Sequence, residues 1–449
     1  MLVGVALAAV FAAPTDEEIR KILVERIDVR RQGVGIVVGM LEPGGRRVVP
    51  YGKLAAGDAR TLDGDTVFEI GSITKVFTNL LLADMVQRGE VGLDDPVSKY
   101  LPPEVKMPRR GEREITLVDL ATHTSGLPRL WSPFSPKDST NPYADFTVDD
   151  MYRFLSGHEL RRDPGAQYEY SNLGGGLLGH VLSRRAGMDY ESLVRARITG
   201  PLGMNDTRIV LTPEMRGRLA VGHNAALKPV PNWDLPTLAG AGALRSTVND
   251  LLKFVAMAAG DTSTPLAKAM ALSLSVRRPT GPAAGGGEVA LGWHINKVNQ
   301  RDLVWHNGGT GGYRSILVVD PVTHTGVVVL SNTSTGAGVD DIGRHLLEPL
   351  SPLLPAPRAE ITVAPEVLER YVGRYELSSG LVIAITREGS QLYGQATNQP
   401  KLALFAEKEN AFFLKDFDAQ FTFETDAAGR TTSLVLHQAG RQTPGRRIE

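Results

Sequence analysis

The stretch Phe68-Glu69-Ile70-Gly71-Ser72-Ile73-Thr74-Lys75-Val76-Phe77 places a hydroxyl and an amine close together at the start of an apolar helical segment. Ser72 and Lys75 are separated by one helical turn, so we expect their side chains to face the same way. A buried lysine near other positive charge has a lowered pKa and can take the proton of a serine. Roughly one or two Ser-x-x-Lys matches arise by chance in a chain of this length, often as a helix start with a solvated lysine. Partners elsewhere in the sequence must therefore decide between the two interpretations.

The composition is that of a globular protein of 449 residues, which is long enough for two or three domains. The 49 basic and 50 acidic residues give a formal net charge of -1, which argues against nucleic acid as the main partner. The chain has no cysteine, which excludes disulfides, thiolate nucleophiles and cysteine-ligated metal sites. The histidines are scattered and His-Glu-x-x-His does not occur, so we expect no metal and no other cofactor.

Residues 2–13 form an apolar run of small side chains that ends in Ala12-Ala13 and precedes Pro14. The run resembles the apolar core and cleavage site of a secretory signal, without the usual basic start. A truncated start or a buried first helix is the alternative. We expect a signal peptide over residues 1–13 and a periplasmic or secreted protein, and this run is too short to span a bilayer.

The spacing of apolar residues along the chain changes from a strand-like pattern to a helical one and back to a strand-like one. Residues 16–31 have helical spacing, and residues 33–41 and 46–51 read as a hairpin. A long helical middle follows, and strand-like alternation returns between residues 289 and 331. Both ends of this region supply strands, so we predict an α+β fold in which an antiparallel sheet is flanked by helices and carries a helical insertion.

The last part of the chain has a different pattern. Prolines cluster near residue 350, and we assign residues 351–358 to a linker. Beyond it, six or more short strands at a spacing of about ten residues predict a small barrel or sandwich. We therefore predict one domain over residues 14–350 and a second, all-β domain over residues 359–449.

Tyr170-Ser171-Asn172 supplies the first possible partners for Ser72. It follows Pro164-Gly165 and precedes a glycine-rich helix, so it lies in a loop at an element boundary, where functional side chains concentrate. The Tyr170 phenol can act as base or acid, and the Asn172 amide can hold a substrate carbonyl. A turn with a half-buried tyrosine is the alternative.

A third motif lies in Trp305-His306-Asn307-Gly308-Gly309-Thr310-Gly311-Gly312-Tyr313. A strand that ends in an imidazole and continues into glycines lets a substrate lie along the strand edge, with its carboxylate near His306. A tight hairpin with an exposed histidine is the alternative. His324-Thr325-Gly326 has the same His-x-Gly form, but it follows Asp320-Pro321, and we assign it to a structural turn at a strand start.

In their order and separation, Ser72-x-x-Lys75, Tyr170-x-Asn172 and His306-x-Gly308 resemble the three boxes of the penicillin-recognising serine hydrolases. That family includes class C β-lactamases, DD-peptidases and their esterase and D-aminopeptidase relatives. Residues 120–128, 201–204 and 241–247 resemble supporting stretches of the same family, and the resemblance covers residues 20–345. The C-terminal part resembles the small lipocalin-like barrels appended to some of these hydrolases.

The resemblance implies the β-lactamase/DD-peptidase fold, with Ser72 as nucleophile and Lys75 and Tyr170 sharing the proton transfers. It also implies an oxyanion hole formed by the N–H of Ser72 and that of Thr310 or Gly311. The implied substrate-binding residues are Asn172, His306, Gly308, Thr310 and Gly311.

One departure concerns the substrate. Class C β-lactamases usually carry lysine where this chain has His306, and histidine there looks more like DD-peptidases and D-aminopeptidases. A partly charged imidazole holds a carboxylate less strongly than lysine does. We expect a serine hydrolase that acts through a Ser72 acyl-enzyme on small-molecule β-lactams or D-amino-acid peptides. A short-chain carboxylesterase and a non-hydrolysing penicillin-binding sensor or scaffold are the alternatives, and the oligomeric state is left open.

Overall fold

The computed structural model describes residues 13–281, 286–354, 360–378, 381–397, 399, 401–414, 419–426, 428–438 and 441–449. Contacts divide the chain into two compact units, Met1–Pro352 and Leu353–Glu449. The expected signal peptide lies outside the described residues except for Ala13, as do residues 355–358 of the predicted linker. Within the described part of the chain, no helix is both long and apolar enough to cross a membrane.

The first unit is built around an antiparallel sheet of eight strands, in the spatial order β2-β1-β13-β12-β11-β10-β9-β8. In chain order, the strands of this unit are β1 Gly35–Glu42, β2 Gly45–Gly52, β3 Phe68–Glu69, β4 Arg109–Arg110, β5 Arg113–Glu114, β6 His223–Asn224, β7 Arg245–Ser246, β8 Arg278–Pro279, β9 Glu288–Val289, β10 His294–Val298, β11 Arg301–Gly309, β12 Arg314–Asp320, β13 Thr325–Ser331 and β14 Thr333–Ser334. Strand β1 pairs with β13, with Ile36 opposite Ser331. The sheet therefore joins strands from both ends of the unit, as the sequence pattern predicts.

Helices supply the rest of the first unit, and most of them come from the long middle of the chain. The α-helices are α1 Asp16–Val24, α2 Thr74–Gln87, α3 Leu117–Ala121, α4 Val148–Gly157, α5 Asn172–Ala186, α6 Tyr190–Val194, α7 Pro213–Gly217, α8 Ala239–Gly242, α9 Val248–Ala258, α10 Ala267–Ser275 and α11 Asp340–Leu347. Helix α9 packs on the sheet through β1 and β13. The predicted α+β fold, with helices flanking the sheet and a helical insertion, is confirmed.

Helix α2 is the central element of the first unit. Residues 74–85 of this helix are all buried, so it is covered on every side rather than along one stripe. A 3₁₀ turn over Gly71–Ile73 leads into it, and Gly71 takes a positive φ of 50° there. This turn follows β3, which pairs with β7. The main-chain N–H of Ile70 also donates to Leu244 O at 3.1 Å. The segment that leads into α2 is therefore bound to the residues just after α8.

The second unit is a closed barrel of eight strands. Its strands are β15 Gly373–Ser378, β16 Leu381–Glu388, β17 Gln391–Ala396, β18 Leu402–Lys408, β19 Ala411–Phe413, β20 Ala419–Thr425, β21 Thr431–Gln438 and β22 Arg441–Arg447. A helix, α12 Pro365–Tyr371, precedes them. The barrel closes where β15 pairs with β22, with Tyr375 opposite Arg447. The structure thus contains a first strand, β15, and a last strand, β22, that the sequence analysis did not predict. Of the two predicted architectures, it is the barrel that forms and not the sandwich.

Candidate active site

Ser72 and Lys75 lie together at the start of α2, as the motif predicts. Lys75 Nζ lies 3.0 Å from Ser72 Oγ, and it donates to Asn172 Oδ1 at 2.9 Å and to Ala241 O at 2.7 Å. Lys75 is only 1% exposed. Burial lowers the pKa of Lys75 well below its usual value, and the positive charge of Arg129 adds to this. A neutral amine has two N–H groups, which suit the two carbonyl oxygens, so its lone pair is left for Ser72.

The glycine-rich start of α5 makes room for this lysine. A Cβ atom at Gly175 would lie 3.0 Å from Lys75 Cε and 3.4 Å from Lys75 Cδ. A Cβ atom at Gly176 would lie 2.8 Å from the Cα of Leu238, just before α8. The glycines therefore bring α5 close both to the Lys75 side chain and to the segment that carries Ala241.

Tyr170 lies directly beside the Ser72 and Lys75 pair. Lys75 Nζ is 4.9 Å from the centroid of the Tyr170 ring, and the guanidinium carbon of Arg129 is 5.1 Å from it. Burial raises the pKa of Tyr170 to about 12, although a hydrogen bond with Ser72 and the charge of Arg129 act in the opposite direction. The phenol is therefore protonated near neutral pH and has a proton that it can donate.

Asn172 is the first residue of α5, and its amide is held on both sides. Its Oδ1 accepts from Lys75, and its Nδ2 donates to the hydroxyl of Tyr143 at 3.3 Å. An amide nitrogen has two N–H groups, so one of them is left for a substrate carbonyl. The sequence analysis did not single out Tyr143, which lies in a loop-rich region without a motif.

His123 is a second residue that the sequence analysis did not single out. It is buried, and its Nδ1 accepts the main-chain N–H of Ser171 at 3.2 Å. Its ring centroid lies 4.4 Å from that of Tyr170. His123 also has a positive φ of 56°, which is uncommon for a residue with a side chain. The available signal was its place within residues 120–128, one of the supporting family stretches.

Strand β11 runs directly against the turn that carries Ser72. A Cβ atom at Gly308 would lie 2.1 Å from Ile70 O and 3.0 Å from Ser72 N. A Cβ atom at Gly71 would lie 2.7 Å from Gly309 N. Only glycine fits this close approach of two main chains, and the substrate-binding role of Gly308 stays a prediction.

The residues after Gly308 are arranged differently from the oxyanion hole that the sequence analysis expected, which used the N–H of Thr310 or Gly311. Thr310 N donates to Tyr313 O at 3.1 Å, and a Cβ atom at Gly311 would lie 2.7 Å from Trp233 Nε1. Hydrogen-bonded and non-hydrogen-bonded pairs alternate along an antiparallel ladder, so the next pair, Gly309 with Arg314, is a non-hydrogen-bonded one. The N–H of Gly309 therefore points away from β12. Strand β11 extends to Gly309, and Gly309 lies next to Gly71, the residue before Ser72.

His306 is buried and neutral, which corrects the expectation of an exposed or partly charged imidazole. It is 1% exposed, and its Nδ1 lies 2.6 Å from the carbonyl oxygen of Asn307. Burial lowers the pKa of His306 well below its usual value, and the nearby His294 and Lys75 add to this. His294, which the sequence analysis did not single out, stacks on Trp305 at 4.6 Å, and burial lowers its pKa to about 4.

Two protein-family models match this chain, and several known proteins are similar to it in sequence. A family model described as Beta-lactamase matches residues 19–349, and one described as a domain of unknown function, DUF3471, matches residues 357–447. The chain is 28% identical over 421 residues to Penicillin-binding protein 4* of Bacillus subtilis, covering 87% of this chain and 90% of that protein. It is 33% identical over 263 residues to the D-alanyl-D-alanine-carboxypeptidase/endopeptidase AmpH of Escherichia coli, covering 57% of this chain and 66% of that protein.

Two solved structures have a similar fold. The first is a Beta-lactamase/D-alanine Carboxypeptidase from Yersinia pestis complexed with citrate, with a TM-score of 0.61 at 26% identity over 71% of this chain and 93% of that chain. The second is a class C beta lactamase from Rhodobacter sphaeroides, with a TM-score of 0.61 at 25% identity over 71% of this chain and 94% of that chain.

Proposed function

We propose, from the premise that this chain belongs to the beta-lactamase family, that it is a serine hydrolase whose Ser72 Oγ is acylated by β-lactams or D-amino-acid peptides. The observation that carries the proposal is the contact between Ser72 Oγ and Lys75 Nζ at 3.0 Å, with two carbonyl oxygens holding the same nitrogen. We place this activity in residues 14–350.

In the first step, Ser72 Oγ forms a bond to the substrate carbonyl carbon while its proton passes to the lone pair of Lys75 Nζ. The carbonyl π electrons move onto oxygen, and they return when the bond to the leaving nitrogen or oxygen breaks. Tyr170, protonated near neutral pH, is placed to give its proton to the leaving group and to regain one from Lys75. Water then adds to the carbonyl carbon of the Ser72 ester, the bond from this carbon to Ser72 Oγ breaks, and Oγ takes up a proton equivalent to the one that the water loses as the acid leaves.

The negative charge on the carbonyl oxygen requires two donors. We assign them to the main-chain N–H groups of Ser72 and Gly309, because Gly309 N lies next to Gly71, the residue before Ser72, and its N–H points away from β12. Asn172 Nδ2 has an N–H for the acyl side of the substrate. His306 lies on the same strand as Gly309 and is expected to contact the leaving side.

Two family relatives support the choice of substrates, since they are named as a penicillin-binding protein and a D-alanyl-D-alanine-carboxypeptidase/endopeptidase. One observation favours a second candidate, a short-chain carboxylesterase. His306 is buried and neutral, so it does not attract the carboxylate that β-lactams and D-peptides carry. Both candidates use the same acyl-enzyme and differ only in the substrate.

The test is a substrate panel on the purified full chain, with a chromogenic cephalosporin, a D-Ala-D-Ala peptide and a p-nitrophenyl ester. We expect repeated turnover of at least one of the first two, and loss of it by about a thousandfold or more in Ser72→Ala. Intact mass spectrometry should show a transient adduct on Ser72. A persistent stoichiometric adduct would instead indicate a penicillin-binding sensor, and turnover by Ser72→Ala at the normal rate would refute the mechanism.

A further inference from the structure

The ring of His306 is buried and neutral, so it brings no positive charge to the candidate active site. The carbonyl oxygen of Asn307 can only accept, so the Nδ1 that lies 2.6 Å from it carries the proton. In a neutral ring, Nε2 then holds a lone pair, and this atom is buried with no hydrogen-bond partner among the described residues. A lone pair repels a carboxylate oxygen and attracts an N–H or O–H group. The recognition of an anionic substrate group therefore requires a different residue.

Arg129 is fixed beside the site through its main chain. Its carbonyl oxygen accepts the N–H groups of Asn172 at 3.0 Å and Leu173 at 3.2 Å. The carbonyl of the preceding residue, Pro128, accepts the hydroxyl of Ser171 at 2.6 Å. Two consecutive residues of this loop are thus bound to the start of α5, the same turn that positions Tyr170 and Asn172.

The guanidinium of Arg129 is available for a ligand. The side chain is exposed, and its guanidinium carbon lies 5.1 Å from the Tyr170 ring centroid. Among the described residues, no carboxylate lies within salt-bridge distance of it. Its charge lowers the pKa of Lys75 and also acts on Tyr170, so its field reaches the reacting groups. A guanidinium is always charged and presents paired N–H groups that match a carboxylate.

We propose that Arg129, and not His306, recognises an anionic group of the substrate. This inference rests on the proposed function and narrows its substrate class to acyl compounds that carry a carboxylate on the Arg129 side of Tyr170. Arg129 thereby replaces the residue at position 306 as the determinant of charge specificity.

The test compares a chromogenic cephalosporin with the same compound whose carboxylate is converted to a carboxamide, using the full chain. The readout is the ratio of the two kcat/KM values. We expect the natural chain to prefer the acid by about tenfold, Arg129→Gln to lose this preference, and Arg129→Lys to keep part of it. An unchanged ratio in Arg129→Gln would overturn the proposal.

Two control variants test whether the preference for the acid depends on Arg129 itself. Arg195→Gln removes an exposed arginine whose side chain makes no hydrogen bond or ion pair with a described residue, and it should leave both rates unchanged. His306→Gln keeps an acceptor at position 306 and should keep the preference for the acid. Loss of that preference in His306→Gln alone would return the role to His306 and contradict the inference.

The pH dependence of the ratio gives an independent readout. Both compounds use the same Lys75 and Tyr170, so the titration of these groups cancels in the ratio. A guanidinium group does not titrate in this range, so the preference for the acid should be constant between about pH 6 and 9. A preference that falls as the pH rises would assign the recognition to a titrating imidazole and refute the proposal.

The outcomes also distinguish this inference from the proposed function. If neither compound is turned over and Ser72 carries no adduct, both proposals fail. If the natural chain hydrolyses the acid and the carboxamide with equal kcat/KM, the proposed function stands and the inference about Arg129 fails.

Discussion

At the scale of single residues, the protonation state of Lys75 decides whether Ser72 can react. The amine is almost completely buried, and two carbonyl oxygens surround it but no carboxylate pairs with it among the described residues. Burial and the charge of Arg129 both favour the neutral form, so the pKa of Lys75 lies well below its usual value. The structure therefore supplies a base without a salt bridge that would keep it protonated.

This arrangement predicts the pH dependence of acylation. The neutral amine is the active form, so kcat/KM for a chromogenic cephalosporin should rise with pH and level off above the lowered pKa of Lys75. The plateau should persist well into the alkaline range, because Tyr170 loses its proton only near its pKa of about 12. Stopped-flow acylation rates across the pH range would measure this profile. A rate that falls steadily from neutral to mildly alkaline pH would contradict the assignment.

Lys75→Arg serves as the matched variant for this profile. Arginine keeps its proton at every accessible pH, so the acylation rate should fall by about a thousandfold and lose the rising limb. Nearby histidines do not complicate the profile, because burial lowers the pKa values of His123 and His306 well below the usual value and that of His294 to about 4.

The sequence predicted four residues that the structure brings together at the candidate site, but not the charges around them. Ser72, Lys75, Tyr170 and Asn172 are visible because each motif keeps a fixed local spacing. The neutrality of His306 depends on burial by elements far away in the chain, and the choice of Gly309 over Thr310 depends on strand register. Neither of these can be read from local spacing. Arg129 belongs to no motif, and only the packing of its loop against α5 brings it to Tyr170.

At the scale of elements, the site depends on how closely α5 approaches α2. Glycines in the first turns of α5 leave space for the Lys75 side chain and for the residues just before α8. The sequence analysis identified a glycine-rich helix at this place, but it did not show that the lysine occupies the space. Helix α5 therefore sets the position of the Lys75 amine as well as that of Asn172.

Gly175→Ala tests this dependence. The added Cβ would lie 3.0 Å from Lys75 Cε, so the lysine side chain must shift and its amine should move from Ser72. We expect the acylation rate to fall by about tenfold or more, with a small change in stability because alanine favours the helix by up to about 1 kcal/mol.

Gly157→Ala in α4 is the matched control, because a Cβ atom there meets no heavy atom within 4 Å. It should leave the acylation rate unchanged. Acylation rates and thermal unfolding, measured for both variants, would distinguish an effect on the position of Lys75 from an effect on helix stability. An equal effect of the two substitutions would show that helix propensity, rather than the space around Lys75, is responsible.

At the scale of the whole molecule, each of the two units has its own hydrophobic core. The barrel core includes Tyr371, Tyr375, Phe412 and Phe423, and Phe423 stacks on Tyr371 at 4.5 Å. The core of the first unit surrounds α2 and shares no residue with that cluster. Mutations in one core should therefore affect mainly the unit that contains them.

Phe423→Ala tests this separation. Removal of a buried phenylalanine should destabilise the barrel by about 3–5 kcal/mol, whereas acylation of Ser72 in the folded protein should continue at its normal rate. Calorimetric unfolding and labelling by a fluorescent penicillin would measure the two effects. Tyr393→Ala, at a partly exposed barrel position, is the control and should cost less. A proportional loss of labelling in Phe423→Ala would show that the units are coupled.

The pairing of Ile36 with Ser331 has a consequence for biosynthesis. Most of the first unit must leave the ribosome before β1 can find β13, so the early hairpin waits without its neighbour while translation proceeds at about 5–20 residues per second. Contacts between such distant parts of the chain also make folding slow. During that interval the edge of β1 lacks its neighbour, and the candidate site around Ser72 is complete only after β11 has been synthesised.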